Sequence, residues 1–151
     1  MIKKLHQFFE RQLLPTETHP GHHSQAQLHL ATAALLLEMT RVDHDIQELE
    51  LDTVTRALQT TFSLTGEETD ELVRLADNEL KEMTSYFPFT SLINKHYSPQ
   101  EKTKIVELMW QVAFSDDKLD KYEEHLIRKI ANLLYVPREE IVAAKHRALR
   151  S

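Results

Sequence analysis

Two acidic segments hold the side chains of this sequence that are best suited to bind a cation. They are RVDHDIQELE at 41–50 and FSDDKLDKYE at 114–123, and each closes an apolar run with helical periodicity. Carboxylate oxygens at this density are the ligands that calcium and magnesium prefer. The predicted cation ligands are Asp43, Asp45 and Glu50 in the first segment and Asp116, Asp117, Asp120 and Glu123 in the second.

Neither segment is an EF-hand, whose loop needs glycine at its sixth position. Counting from Asp43 places Glu48 there, and counting from Asp116 places Lys121 there. Carboxylates in a first helical turn also complement the helix dipole, at about 0.3–1 kcal/mol each, but Asp43 and Asp116 are predicted at helix C-termini, where the dipole disfavours them. Two hypotheses therefore stay open: binding of a divalent cation (calcium, magnesium, manganese or zinc), or an acidic surface for a basic protein partner.

The segment HPGHHS offers a second, weaker candidate metal site. It contains His19, His22 and His23, and His29 follows on the next predicted helix. Neutral imidazoles bind zinc, copper or nickel. Their spacing matches no zinc motif such as H-E-x-x-H, so a solvated loop is the simpler explanation.

The composition predicts an all-α fold in one domain, residues 1–151. Hydrophobic residues make up 41% of the 151, which is enough for a sizeable core. Two glycines and five prolines are too few for the many turns of an all-β chain. The absence of cysteine excludes disulfides and thiolate chemistry and favours a cytoplasmic location. A net charge of −6 disfavours nucleic acid as a partner.

The elements that must position the acidic segments form a compact bundle of about seven to eight helices. Thr65 with Glu68, and Ser98 with Pro99 and Glu101, are helix start signals. The run 25–42 is apolar nearly all round, which predicts a buried central helix. Helices are predicted at about 2–13, 25–42, 48–62, 66–82 and 89–96, from 99, from about 120, and at 138–149.

The two halves of the chain repeat one pattern. Leu35 and Met39 precede Leu108 and Val112 by 73 residues, and from residue 58 onward the matching offset is 72. The common unit is an apolar helix, an acidic turn, an amphipathic helix and an acid-started helix. We therefore predict an internal pseudo-twofold duplication, with repeat one at about 25–82 and repeat two at about 99–149.

The N-terminal run 2–13 has an amphipathic pattern that fits either packing on the domain or a lipid surface. Packing is the commoner outcome, so membrane association is a minor alternative. No stretch approaches the roughly 20 apolar residues that a bilayer-spanning helix needs.

The sequence resembles the tellurite-resistance TerB family, in particular its stand-alone bacterial members. That family places Ala-Asp-Gly before a hydrophobic residue and then acids; here the aspartates are Asp43 and Asp116, and His44 and Asp117 replace the glycine. The resemblance implies a compact helical domain, an association with tellurite and other stress responses, and a role in binding metal ions or docking a protein. The resemblance rests on FFERQLLP, LATAALLLEMTRVDHDI, FTSLINKHYSPQEK and DDKLDKYEEHLIRKIANLLYVPREEIVAAKHRAL.

No pattern in the sequence indicates an enzyme. A serine nucleophile elbow and the Glu-x-x-His tetrad of di-iron bundles are both missing. His125 beside Glu124 is better explained as a surface histidine, because adjacent helical residues face different directions. Trp110, Tyr86, Phe87 and Phe89 are predicted core residues. The expected function is a non-enzymatic interaction module with paired acidic turns; the alternatives are a metal-dependent hydrolase using those acids and a membrane-peripheral adaptor.

Overall fold

The computed structural model describes residues 24–41, 48–115 and 121–150. These ranges contain seven α-helices and no β-strand, as the composition predicts. The predicted helix at 2–13 lies outside them. The helices are α1 (Ser24–Arg41), α2 (Glu48–Phe62), α3 (Gly66–Glu82), α4 (Phe87–His96), α5 (Pro99–Ala113), α6 (Lys121–Leu133) and α7 (Arg138–Arg150).

Helix α1 is the central element of the first half. Between Leu28 and Thr40 almost every side chain is buried, including Leu35 and Leu36. The helix packs against α2, α3, α4 and α5, which explains why its sequence lacks a polar face. The prediction of a buried central helix is confirmed.

Helix α5 is the second core helix and packs against α1, α2, α6 and α7. Met109, Trp110 and Val112 are fully buried on it. The indole Nε1 of Trp110 donates a hydrogen bond to the carbonyl oxygen of Ile141, at 3.2 Å. The contact between α5 and α7 thus buries the single tryptophan of the chain with its polar atom satisfied.

Local capping signals fix the starts of two helices, as predicted from sequence. Thr65 and Glu68 form a complete capping box at the start of α3, with N–O distances of 2.9 and 3.1 Å. Ser98 and Glu101 do the same for α5, at 2.8 and 3.2 Å. Each box satisfies two N–H groups that the helix itself leaves without partners.

Two helices end in a left-handed residue that is not glycine. Ser63 follows α2 with φ 54°, and Tyr135 follows α6 with φ 60°. In both, the next amide closes a bond to the carbonyl five residues back, Leu64 to Gln59 at 3.1 Å and Val136 to Ala131 at 3.0 Å. This is the Schellman motif. A glycine-poor chain therefore ends these helices with ordinary residues that accept the strain.

These two helix ends lie 72 residues apart, which is the offset of the sequence pattern. In addition, α1 packs on α3 and α2, and α5 packs on α7 and α6. Helix α4, between the two sets, packs on α1. The described helices thus have the order that the repeat pattern requires, and the duplication itself stays a prediction.

One predicted core residue is wrong. Phe89 is buried and Tyr86 is half-buried, but 63% of Phe87 is exposed. Helix α4 begins at Phe87, two residues earlier than predicted, so Phe87 occupies the first turn, on the solvent side of the helix. No helix in the described ranges is long and apolar enough to cross a membrane.

Candidate functional site

The acidic segments are only partly described. Asp43, Asp45, Asp116, Asp117 and Asp120 lie outside the described residues, as do His19, His22 and His23 of the weaker candidate. Glu50 lies in the first turn of α2, although its side chain is not described. Glu123 is the predicted ligand whose side chain the structure places.

Glu123 is the third residue of α6, and only 1% of it is exposed. A carboxylate at this position lies near the N–H groups and the positive dipole end of the helix, which stabilise its ionised form. Burial acts in the opposite direction, because it removes the carboxylate from water. The second acidic segment therefore ends on a carboxylate that faces inward.

The next residue, Glu124, faces outward and is already paired. Its carboxylate lies 3.6 Å from Arg128 and 3.8 Å from Lys145. Arg147 pairs with Glu107 at 2.6 Å. The C-terminal basic residues thus contact acids on α5 and α6 instead of forming an unpaired basic patch. His125 is exposed, as predicted.

The described residues contain no group of three or more His, Asp or Glu side chains placed to hold a metal ion. Any cation site that uses Glu123 must therefore take its other ligands from the acidic residues outside the described ranges. The structure brings Glu123 to the edge of the second segment, and it does not test whether the two segments converge.

A cleft of about 560 Å³ lies between the first turns of α1, the end of α2, the end of α4 and the start of α5. We call it the α1–α5 cleft. One carboxylate, Glu101, lines it, and one of its oxygens already accepts the Ser98 amide of the capping box. The cleft therefore lacks the converging acids that a metal-dependent hydrolase needs. The side chains that define it are Leu28, His29, Thr32, Phe62, Tyr97 and Leu108.

Two titratable groups in this cleft are perturbed by burial. The His29 ring stacks on Phe62, with centroids 3.9 Å apart and planes inclined by 23°. Burial lowers the pKa of His29 from 6.5 to about 4, so the imidazole is neutral at neutral pH. Burial also raises the pKa of Tyr97; the nearby Thr32 hydroxyl lowers that pKa, and the charge of Glu101 raises it.

Sequence reasoning considered His29 as a partner of the three loop histidines and did not identify Thr32 or Tyr97. The available signal was the occurrence of His29 and Thr32 three residues apart in an otherwise apolar helix, which puts both on one face. Which face they occupy depends on the packing of α5, which begins some 65 residues further on.

The family model described as tellurite resistance protein TerB matches residues 29–146. No curated protein and no solved structure matches the sequence. The match spans all of α2 to α6, most of α1 and α7, and both acidic segments, and the described part of the chain is entirely helical where it is ordered into regular elements. The chain belongs to the TerB family.

Proposed function

We propose that this chain is a non-enzymatic TerB-type module whose acidic segments, 41–50 and 114–123, bind a divalent cation and thereby act in a tellurite-related stress response. The observation that supports it is the buried carboxylate of Glu123. An inward-facing carboxylate loses its hydration, and a bound cation offsets that loss more fully than helix N–H groups alone. The family match includes both segments, so the proposed site lies within the conserved type of domain.

Calorimetric titration with calcium, magnesium, manganese and zinc tests this proposal. We expect at least one ion to bind with a Kd of about 100 μM or tighter, the range of oxygen-ligand sensor and weaker sites. Asp43→Asn/Asp116→Asn should weaken that binding more than tenfold. Asp70→Asn is the matched control, because Asp70 is an exposed acid on α3 outside both segments.

Glu123→Gln separates a ligand from a helix cap. The glutamine side chain keeps the shape and one acceptor oxygen but removes the charge, so a ligand role predicts weaker ion binding. A capping role predicts lower stability with unchanged ion binding. If no ion binds below millimolar concentration, the cation hypothesis fails, and docking of a basic protein partner on the same acidic segments takes its place.

The non-enzymatic assignment is tested in the same ion-loaded protein. We expect no hydrolysis of model phosphate esters or carboxylic esters above the rate given by the free ion. Turnover that Asp43→Asn/Asp116→Asn abolishes would replace the module by a metal-dependent hydrolase.

A further inference from the structure

The hydroxyl of Thr32 differs from those of other threonines in the described helices. Five of them donate to a carbonyl of their own helix three or four residues back, at 2.7–3.2 Å. Thr32 is only 1% exposed, yet its Oγ1 has no hydrogen-bond partner in the described part of the chain. The five that pair are Thr40, Thr55, Thr69, Thr90 and Thr103.

An unsatisfied buried hydroxyl costs stability, so its position matters. Thr32 lines the α1–α5 cleft, whose volume of about 560 Å³ lies within the range of small-molecule sites. The Tyr97 hydroxyl and the His29 ring line the same cleft. Three side chains that can hydrogen-bond therefore converge on a space large enough for a ligand.

The inner part of the cleft is aromatic and uncharged. Phe62, stacked with His29, lies on one side, while Leu28 and Leu108 supply buried aliphatic surface. The hydrogen-bonding groups there are hydroxyls and a neutral imidazole. A charged ligand group would lose its hydration without gaining a buried counter-charge, so the group that reaches Thr32 must be uncharged.

The charged residues lie at the mouth and have opposite signs. Glu101 and Lys104 are both exposed, and the Lys104 Nζ lies 3.8 Å from Glu107. Exposed charges of opposite sign in water select weakly for ligand charge. The mouth therefore does not reverse the preference set by the interior.

We propose that the α1–α5 cleft binds a small, uncharged aromatic molecule whose hydroxyl or carboxamide group hydrogen-bonds to Thr32, with its ring among Leu28, Phe62 and Leu108. A hydroxyl or a carboxamide both donates and accepts, which matches the Thr32 and Tyr97 hydroxyls. This site is separate from the acidic segments, so its test is independent of the cation proposal.

The experiment is an NMR titration of the full chain with phenol, benzamide and benzoate. Phenol and benzamide should give saturable shifts of the Leu28, Thr32 and Ile105 amide signals, with a Kd on the order of 1 mM or tighter. Benzoate, which has the same ring but a charge, should bind at least about tenfold more weakly. Equal binding of all three probes, or no saturable shift, would overturn the proposal.

Thr32→Val tests the assigned hydrogen bond, because valine keeps the shape and removes the hydroxyl. We expect a five- to tenfold weaker Kd for phenol, about the loss that one hydrogen bond gives. Thr40→Val is the matched control: Thr40 is buried on the same helix and donates to Leu37, but does not line the cleft. Its Kd should stay within twofold of the wild type.

Tyr97→Phe gives a second, independent variant that retains the ring. It should weaken phenol binding severalfold, and Lys104→Ala should leave it unchanged. If Thr32→Val and Tyr97→Phe both bind phenol as the wild type does, the hydroxyls serve the fold alone and the site assignment is wrong.

Discussion

The α1–α5 cleft and the contact between α5 and α7 both place polar groups among apolar side chains, with opposite results. In the α5–α7 contact, the Trp110 indole donates to Ile141, and Lys145 covers the ring with its ammonium 5.2 Å from the ring centroid. In the cleft, Thr32 has no partner among the described residues and burial shifts the pKa of His29 and Tyr97. A satisfied polar group reports on stability, whereas an unsatisfied one beside an open volume points to binding.

The largest effect should come from the satisfied side. Trp110→Ala removes a fully buried ring and its hydrogen bond, so the free energy of unfolding should fall by about 3–5 kcal/mol. Urea denaturation followed by far-UV circular dichroism measures this without relying on the single tryptophan. Phe87→Ala removes an exposed ring and should change stability by less than about 0.5 kcal/mol. Comparable losses in the two variants would contradict the assigned core.

The cleft should make stability depend on pH through His29. Its pKa is about 4 when folded and 6.5 when unfolded, so between these values the unfolded chain binds more protons. Stability should therefore fall as pH decreases from 6.5 to 4, by on the order of 2 kcal/mol after discounting for the partial exposure of the ring.

Denaturation midpoints of wild type and His29→Gln across this pH range isolate that contribution. The variant should lose less stability on acidification, because glutamine does not titrate. His125→Gln serves as control, since His125 is exposed and should behave as the wild type does. Parallel pH profiles for wild type and His29→Gln would mean that the imidazole is as accessible when folded as when unfolded.

The capping boxes compare a helix start at the cleft with one elsewhere. Ser98→Ala and Thr65→Ala should each lower the free energy of unfolding by about 1 kcal/mol, because each removes a side-chain acceptor for an N–H group. Ser98→Ala also releases Glu101 at the cleft mouth. Equal stability losses together with altered phenol binding only in Ser98→Ala would confirm that this box shapes the cleft.

The smallest effect should differ in sign between two threonines of one helix. Thr40→Val loses a 2.7 Å hydrogen bond and should cost about 0.5–1 kcal/mol. Thr32→Val removes a hydroxyl without a described partner, so stability should stay the same or rise by up to about 1 kcal/mol. Thermal unfolding of both variants without added ligand gives the comparison. A clear loss in Thr32→Val would show that its hydroxyl is satisfied within the fold.

Most of the helical framework was predictable because its signals are local. The capping boxes at Thr65 and Ser98 lie within four residues of sequence, and the apolar run of α1 requires burial on all sides. Phe87 was assigned wrongly because periodicity in a ten-residue helix after a break does not fix which side faces solvent. The acidic residues Asp43 and Asp116 stay predicted ligands, and Glu123 is the one whose burial the structure adds.

The sequence by itself determined that this chain is helical, where several helices begin, and that its family is TerB, since periodicity, caps and motif residues are properties of short stretches. Only the tertiary structure decided which buried polar groups find partners. Thr32 and Thr40 are the same residue type on the same helix, and Trp110 meets Ile141 across 31 residues. Whether a hydroxyl or an indole is satisfied depends on atoms that distant segments bring close, and no local pattern encodes that distance.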